Sequence, residues 1–239
     1  MTRVCRIFRA AAAGTSLAPI EPMEDVGRPG AAIHEGSTAG ITAAGIEQLT
    51  EVMGEAVRAL DKNAIGYVLI GGQASALLGR PRCSSDIDLL VTPEDAPIAL
   101  DALDGAGFST ARINPHWLYK AFRHDVLVDL MFKVRGDIYL DAEMLRRSTI
   151  RRFHGMSVRV VPPEDLIVMK AIVHDEETPR HWADALGILP VTDLDWDYLL
   201  LRSQRAPRRM LSFLCYATSI DLAVPQSVLR RLGRTVLYE

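Results

Sequence analysis

Asp86 and Asp88 stand two positions apart in the run "SSDIDLLV", about fourteen residues beyond the adjacent glycines Gly71 and Gly72. Side chains two apart on a strand share a face, with Cα atoms roughly 6.5–7 Å apart. Two carboxylates so placed can converge on one or two divalent cations. Unpaired, they repel each other and are costly to bury. A third acid, Asp129, lies in "VLVDLMF" with three apolar residues on each side. Such an acid must be paired, protonated or a ligand. The alternative for the first pair is a solvent-exposed strand end that caps the next helix. The glycines have their own physical use: without Cβ atoms they allow a sharp turn after a strand and bring backbone N–H groups near an anion at the following helix. An ordinary tight turn would look the same, and only the acids on the next strand make the pair informative. Three strand carboxylates and a glycine turn suit Mg²⁺-dependent phosphoryl chemistry, because hard cations favour oxygen ligands. The templates GxxxxGK[ST], HExxH and GxSxG, and a dinucleotide fingerprint after a strand, are absent from the sequence.

The elements that must hold these residues follow from periodicity. Ile46, Leu49, Met53, Val57 and Leu60 recur at helical spacing from Ile41 onward. Strands are predicted over 66–70, 86–91, 117–123, 126–132 and 157–161, with a short helix around 73–79 and another from 93 or 94 to about 103. Beyond Pro162-Pro163 the pattern is helical: 164–174, 179–188, 195–203, 207–220 and 225–233. An α/β segment over 37–162 is therefore expected before a helical segment over 163–239. Residues 1–36, rich in Ala, Gly and Pro, read as a flexible extension.

Nearly half of the 239 residues are hydrophobic and 24% are charged, the balance of a globular chain with a real core. A net charge of -3 excludes a uniformly basic nucleic-acid coat. Seven arginines nevertheless crowd residues 200–239, which makes a basic face conceivable beside the plainer reading of solvated helix faces. Cys5, Cys83 and Cys215 are widely spaced and form no CxxC, which suits a reducing cytoplasm better than disulfides or zinc. No apolar run approaches the ~18 residues of a membrane span. Arg6 and Arg9 break the apolar stretch of the N-terminus, against a signal peptide. Trp117 and Trp182 are expected to pack in the core rather than stack on a base. Arg82 is expected to lock its turn by pairing with an acid.

Gly-Gly, then Asp-x-Asp, then a lone strand Asp resembles the nucleotidyltransferase fold of the DNA polymerase β superfamily. The longer form is Gly71-Gly72-x-Ala74, Gly79, Arg82-x-Ser84-x-Asp86-x-Asp88. It looks like the AbiEii-type toxins of abortive-infection and type IV toxin–antitoxin systems. Lys170 and Arg180…Asp184 in "PEDLIVMKAIVHDEETPRHWADALGIL" resemble that family's second-half elements, with looser spacing. The resemblance implies a small mixed sheet followed by a C-terminal helical lobe. It implies that Asp86, Asp88 and Asp129 are catalytic and bind Mg²⁺ or Mn²⁺. Gly71, Gly72, Gln73 and Ser84 would cradle the triphosphate of an NTP such as ATP or CTP, and Lys170 would neutralise a phosphate. The implied reaction moves a nucleoside monophosphate to an acceptor, the 3′ end of tRNA being the family's best-known one, in a cytoplasmic toxin with a cognate antitoxin. A small hydroxylated antibiotic or a protein side chain would be served by the same chemistry, and a non-catalytic nucleotide-binding module is the reading from another class.

Overall fold

A seven-stranded mixed sheet, ordered β3-β4-β5-β2-β1-β7-β6, is the frame on which the acids stand. The computed structural model describes residues 43–175 and 177–238, so the predicted extension over 1–36 lies outside the described residues. The strands are β1 (Tyr67–Leu69), β2 (Ile87–Val91), β3 (Ser109–Asn114), β4 (Leu118–Arg123), β5 (Val126–Met131), β6 (Thr149–Phe153) and β7 (Met156–Val160). In the α/β part they alternate with α1 (Ala43–Lys62), α2 (Gly71–Leu77), α3 (Ala96–Gly105) and α4 (Ala142–Arg147). The chain then continues as α5 (Pro163–Val173), α6 (Arg180–Ile188), α7 (Trp196–Ser203), α8 (Pro207–Ser219) and α9 (Gln226–Tyr238).

β2 is the central strand, antiparallel to β1 and parallel to β5. Its apolar end, Leu89, Leu90 and Val91, is wholly buried on both faces, as a strand covered above and below requires. Helix α1 buries Leu49, Met53, Val57 and Leu60, the stripe read from the sequence, and packs with α3, β5 and β7. The hairpin β4–β5 turns through His124 and Asp125, both in the left-handed region at φ 49° and 61°. That geometry matches the twist of a two-residue hairpin, and it fixes the register Lys120↔Asp129.

Three elements go beyond the predicted set. β3 and β6 extend the sheet at its two edges, and α4 leads into β6. Edge strands carry little apolar alternation: four of the five residues of β6, Thr149 to Arg152, are exposed, and β3 contains no buried residue. The expected core position of Trp117 is also corrected. It sits in the β3–β4 turn, 39% exposed, whereas Trp182 stacks on His174 and packs against Phe213.

Helix α5 is buried on nearly every side and contacts α2, α6, α7 and α8. Its charges are therefore matched individually. Glu164 accepts the Asp195 N–H at 2.7 Å, and Asp165 accepts the Tyr198 hydroxyl at 2.7 Å. Arg202 bridges Asp165 and Asp141. This corrects the inclusion of Arg202 in an exposed basic face: it is consumed by two internal carboxylates. Arg202→Met would strand Asp165, 2% exposed, with only a phenol for company, at a cost of about 3–5 kcal/mol. Urea denaturation should show that loss; a change below about 1 kcal/mol would mean the Tyr198 hydroxyl satisfies Asp165 alone.

Candidate active site

The acids come together where β1, β2 and β5 lie side by side. Asp88 and Asp129 are direct Cα partners across the parallel β2–β5 pair, so their side chains leave the same face of the sheet. Asp86 does not lie on the strand itself. β2 begins at Ile87, and Asp86 closes the preceding loop, half-buried and accepting the Ser85 hydroxyl at 2.6 Å.

Gly71 shows what the glycine pair does here. Its φ is +68°, a region costly for other residues, and a Cβ built on it would lie 2.5 Å from Cγ of Asp88. The backbone N–H of Gly72 donates to the Asp88 carboxylate. The main chain of Ile70 donates to the Asp88 carbonyl at 2.9 Å, continuing the β1–β2 pairing to the turn. A Cβ on Gly72 would in turn fall 2.7 Å from Cβ of Ser84 and against the Arg82 guanidinium. Gln73, 4% exposed, donates to the Ser84 carbonyl at 2.6 Å and so ties the loop before Asp86 to α2. Gly71 and Gly72 thus lie against the Asp88 carboxylate, and Gln73 and Ser84 are tied to each other beside Gly72.

Behind the turn lies a buried charge cluster. Lys170 Nζ is 2.9 Å from Asp184 Oδ2, and Arg82 Nε is 3.1 Å from Asp184 Oδ1. The Ser75 hydroxyl donates to the Gly71 carbonyl at 2.8 Å and approaches Asp184 at 3.5 Å. Arg82 therefore locks its turn through an acid, and that acid is Asp184 of α6. Lys170 is 5% exposed, held on Asp184 while near enough to Asp88 for each to bias the other's charge. Burial pulls the Lys170 ammonium below its ordinary value, against the opposing pull of Asp184.

Burial raises Asp88 to about 6, and the charges of Asp129 and Asp86 push the same way. Asp129 is raised as well, mainly by burial, with Lys120 opposing. Lys120 Nζ lies 3.1 Å from Asp129 Oδ1, a partner absent from the predicted site. Its signal was in the hairpin: a two-residue turn at His124-Asp125 sets Lys120 directly opposite Asp129. Among the described residues, no group of three His, Cys, Asp or Glu side chains is arranged to hold a metal ion.

A mixed sheet whose central strand β2 and its neighbour β5 carry acids beside a glycine turn defines a nucleotidyltransferase fold. An antigenic nucleotidyltransferase-like protein from Paracoccidioides brasiliensis has the same fold. It is 18% identical, with 80% of this chain and 95% of that one covered and a TM-score of 0.51. ANT(2")-Ia in complex with adenylyl-2"-tobramycin aligns with a TM-score of 0.48, 19% identity, and 68% and 98% of the two chains covered. The lincomycin-bound lincosamide antibiotic adenylyltransferase LnuA aligns with a TM-score of 0.43 and 10% identity, with 64% of this chain and 99% of that one covered. No curated protein matches the chain. Residues 49–186, more than half of the chain, match the family described as "Nucleotidyl transferase of unknown function (DUF2204)", and the chain belongs to that family. The protein is a nucleotidyltransferase.

Two expectations follow from this geometry. Asp88→Asn keeps the shape and removes the raised carboxyl. An acid held above its unfolded value of about 3.9 contributes stability below that pH and loses it as pH rises through about 6. With chelator present, the Asn variant should therefore exceed wild type by about 3 kcal/mol at pH 8 and match it near pH 4. Lower stability of the variant at pH 8 would show a carboxylate that stabilises the fold. Gly71→Ala must displace Asp88 and should cut nucleotidyl transfer at least about 100-fold, an effect of about 2.7 kcal/mol or more. Gly155→Ala is the control, with φ +92° but nothing within 4 Å, and should cost stability alone.

Proposed function

We propose that the protein moves a nucleoside monophosphate from an NTP to a hydroxyl of tRNA and releases pyrophosphate. The observation that carries this reading is the Asp88–Asp129 pair on adjacent strands, with Asp86 beside it and the glycine turn beneath. Asp86 and Asp88 would hold Mg²⁺ or Mn²⁺, with Asp129 as the third carboxylate of the site. The all-oxygen donor set, and the burial and acidic neighbours that raise Asp88, fit a hard divalent cation. Bound there, the ion would offset charge on the phosphates and help hold them in line. Gly71 shapes the turn, Gln73 fixes the loop that carries Ser84, and Ser84 and Arg82, which crowd Gly72, would face the phosphates. Asp129 would accept the proton of the attacking hydroxyl as the acceptor oxygen bonds to the α-phosphorus and the α–β bridge breaks. Lys170 would act from behind the turn, adding positive potential near Asp88.

In this reading the α/β segment 37–162 carries the carboxylates, and segment 163–239 carries Lys170 and the arginines. RNA as acceptor is supported by Arg205, Arg208, Arg230 and Arg234, exposed on and before the last two helices. Phosphate contacts of this kind position a nucleic acid without reading its sequence. A cytoplasmic toxin of the AbiEii type, restrained by a cognate antitoxin, would use this activity to block translation. A small hydroxylated acceptor is the second reading. It is favoured by the engagement of Arg202 with Asp165 and Asp141, and of Arg231 with Asp197, which thins the basic face.

Pyrophosphate release with Mg²⁺, each of the four NTPs and total tRNA tests the proposal. Wild type should turn over, and Asp86→Asn and Asp88→Asn should each lose at least about 1,000-fold, near 4 kcal/mol. Equal rates in all three proteins would remove the catalytic reading. Replacing Arg205, Arg208 and Arg230 with Gln should weaken tRNA binding and flatten its salt dependence. Unchanged binding with the same salt slope would transfer the acceptor to the small-molecule class.

A further inference from the structure

Among the described residues, Lys120 is the cation whose position is dictated by the same strand register that assembles Asp88 and Asp129. β4, β5 and β2 are consecutive in the sheet. Lys120 pairs with Asp129 across β4–β5, and Asp129 pairs with Asp88 across β5–β2. The three residues form one row perpendicular to the strands, and directly opposed residues share a face, with Cβ atoms about 4.5–5.5 Å apart. The backbone therefore delivers the ammonium to Asp129. It is not a surface lysine that happened to swing in. Its neighbours Tyr119 and Ala121 are buried, and the ion pair is itself well covered, with side chains 26% and 15% exposed.

We propose that Lys120 stands in for a second divalent cation at Asp129, so that the site takes a single ion through Asp86 and Asp88. This rests on the metal-dependent reading given above and specifies its stoichiometry. A divalent ion on Asp129 would need an oxygen at about 2.0–2.6 Å, on the carboxylate that the ammonium approaches at 3.1 Å. Ion and ammonium would compete for that carboxylate and repel each other. Charge points the same way. One dication together with the Lys120 ammonium brings three carboxylates to neutrality, whereas two dications beside Lys120 overshoot.

The test counts Mn²⁺ bound to the full chain without nucleotide, from loss of the free-ion paramagnetic resonance signal. Wild type should bind one ion, and Asp88→Asn should lose it. Lys120→Met should gain a second site at least tenfold tighter than any second site in wild type, and the double variant Lys120→Met/Asp129→Asn should return to one. Lys120→Arg, which keeps the cation, should also bind one. A folded Lys120→Met protein that still binds one ion would overturn the proposal and leave Lys120 a cross-strand ion pair. Lys120→Gln provides the same comparison should the Met variant melt early. Two ions of similar affinity in wild type would overturn it without any variant. No Mn²⁺ on any of these proteins would remove the metal site itself and this proposal with it.

Discussion

The carboxylate of Asp88 occupies the space where a side chain on residue 71 would be, and much of the site depends on that exclusion. β1 must end at Leu69, the chain must turn with a positive φ at Gly71, and the Gly72 N–H must face the acid. A buried acid with two acidic neighbours is an expensive object. Its cost is reduced by a backbone donor and by the positive potential of Lys170. Glycine here is a condition for packing a carboxylate against main chain. The phosphate-cradling use of such turns is a separate matter from what Gly71 demonstrably permits.

The helical part is coupled to this turn through charge. Asp184 of α6 receives Lys170 of α5 and Arg82 of the loop after α2, and Ser75 of α2 reaches toward it. Breaking such a buried cluster on one side leaves an uncompensated charge, which costs far more than the cluster contributes as a whole. The cluster therefore acts as a constraint on position: α5 and α6 can sit in few ways relative to the glycine turn without stranding a charge. Asp165, Tyr198, Arg202 and Asp141 impose a second constraint of the same kind between α5, α7 and the start of α4. Two polar clusters thus specify how an otherwise apolar helix, α5, is oriented.

Local order in this fold was legible wherever apolar periodicity was strong. The stripe of α1 and the alternation of β5 come from residues that bury one face, and the apolar runs of β2 and α5 from residues buried on nearly every side. What lacked such a pattern was missed. β6 exposes Thr149, Ile150, Arg151 and Arg152, and β3 offers no buried residue, so neither edge strand announces itself. Among the site residues, the Asp-x-Asp spacing and the isolation of Asp129 in an apolar run were visible, because a carboxylate in such surroundings needs a reason. Their meeting was not derivable from spacing, since β2–β5 is a parallel pairing of distant segments. Lys120 was nearer to hand. Its alignment with Asp129 follows from the short hairpin turn, but a lysine between apolar neighbours carries no signal until that register is drawn.

The three acids end up in three different electrostatic situations, and the difference is informative. Asp129 has a cation of its own in Lys120. Asp88 has a backbone N–H and only the field of a lysine committed to Asp184. Asp86 accepts a serine hydroxyl at the mouth of the loop. Among the described residues, the ion pairs of the site reach Asp129 and stop short of the other two. A fold that needed these acids only for packing would have no reason to compensate one and leave two near each other without a cation. Neutral residues of the same shape beside it would relieve Asp88 of the repulsion that adds to burial in raising it to about 6. The uneven compensation is what the proposed site requires, in which positive charge would arrive from outside at Asp86 and Asp88 while the third acid is balanced by Lys120.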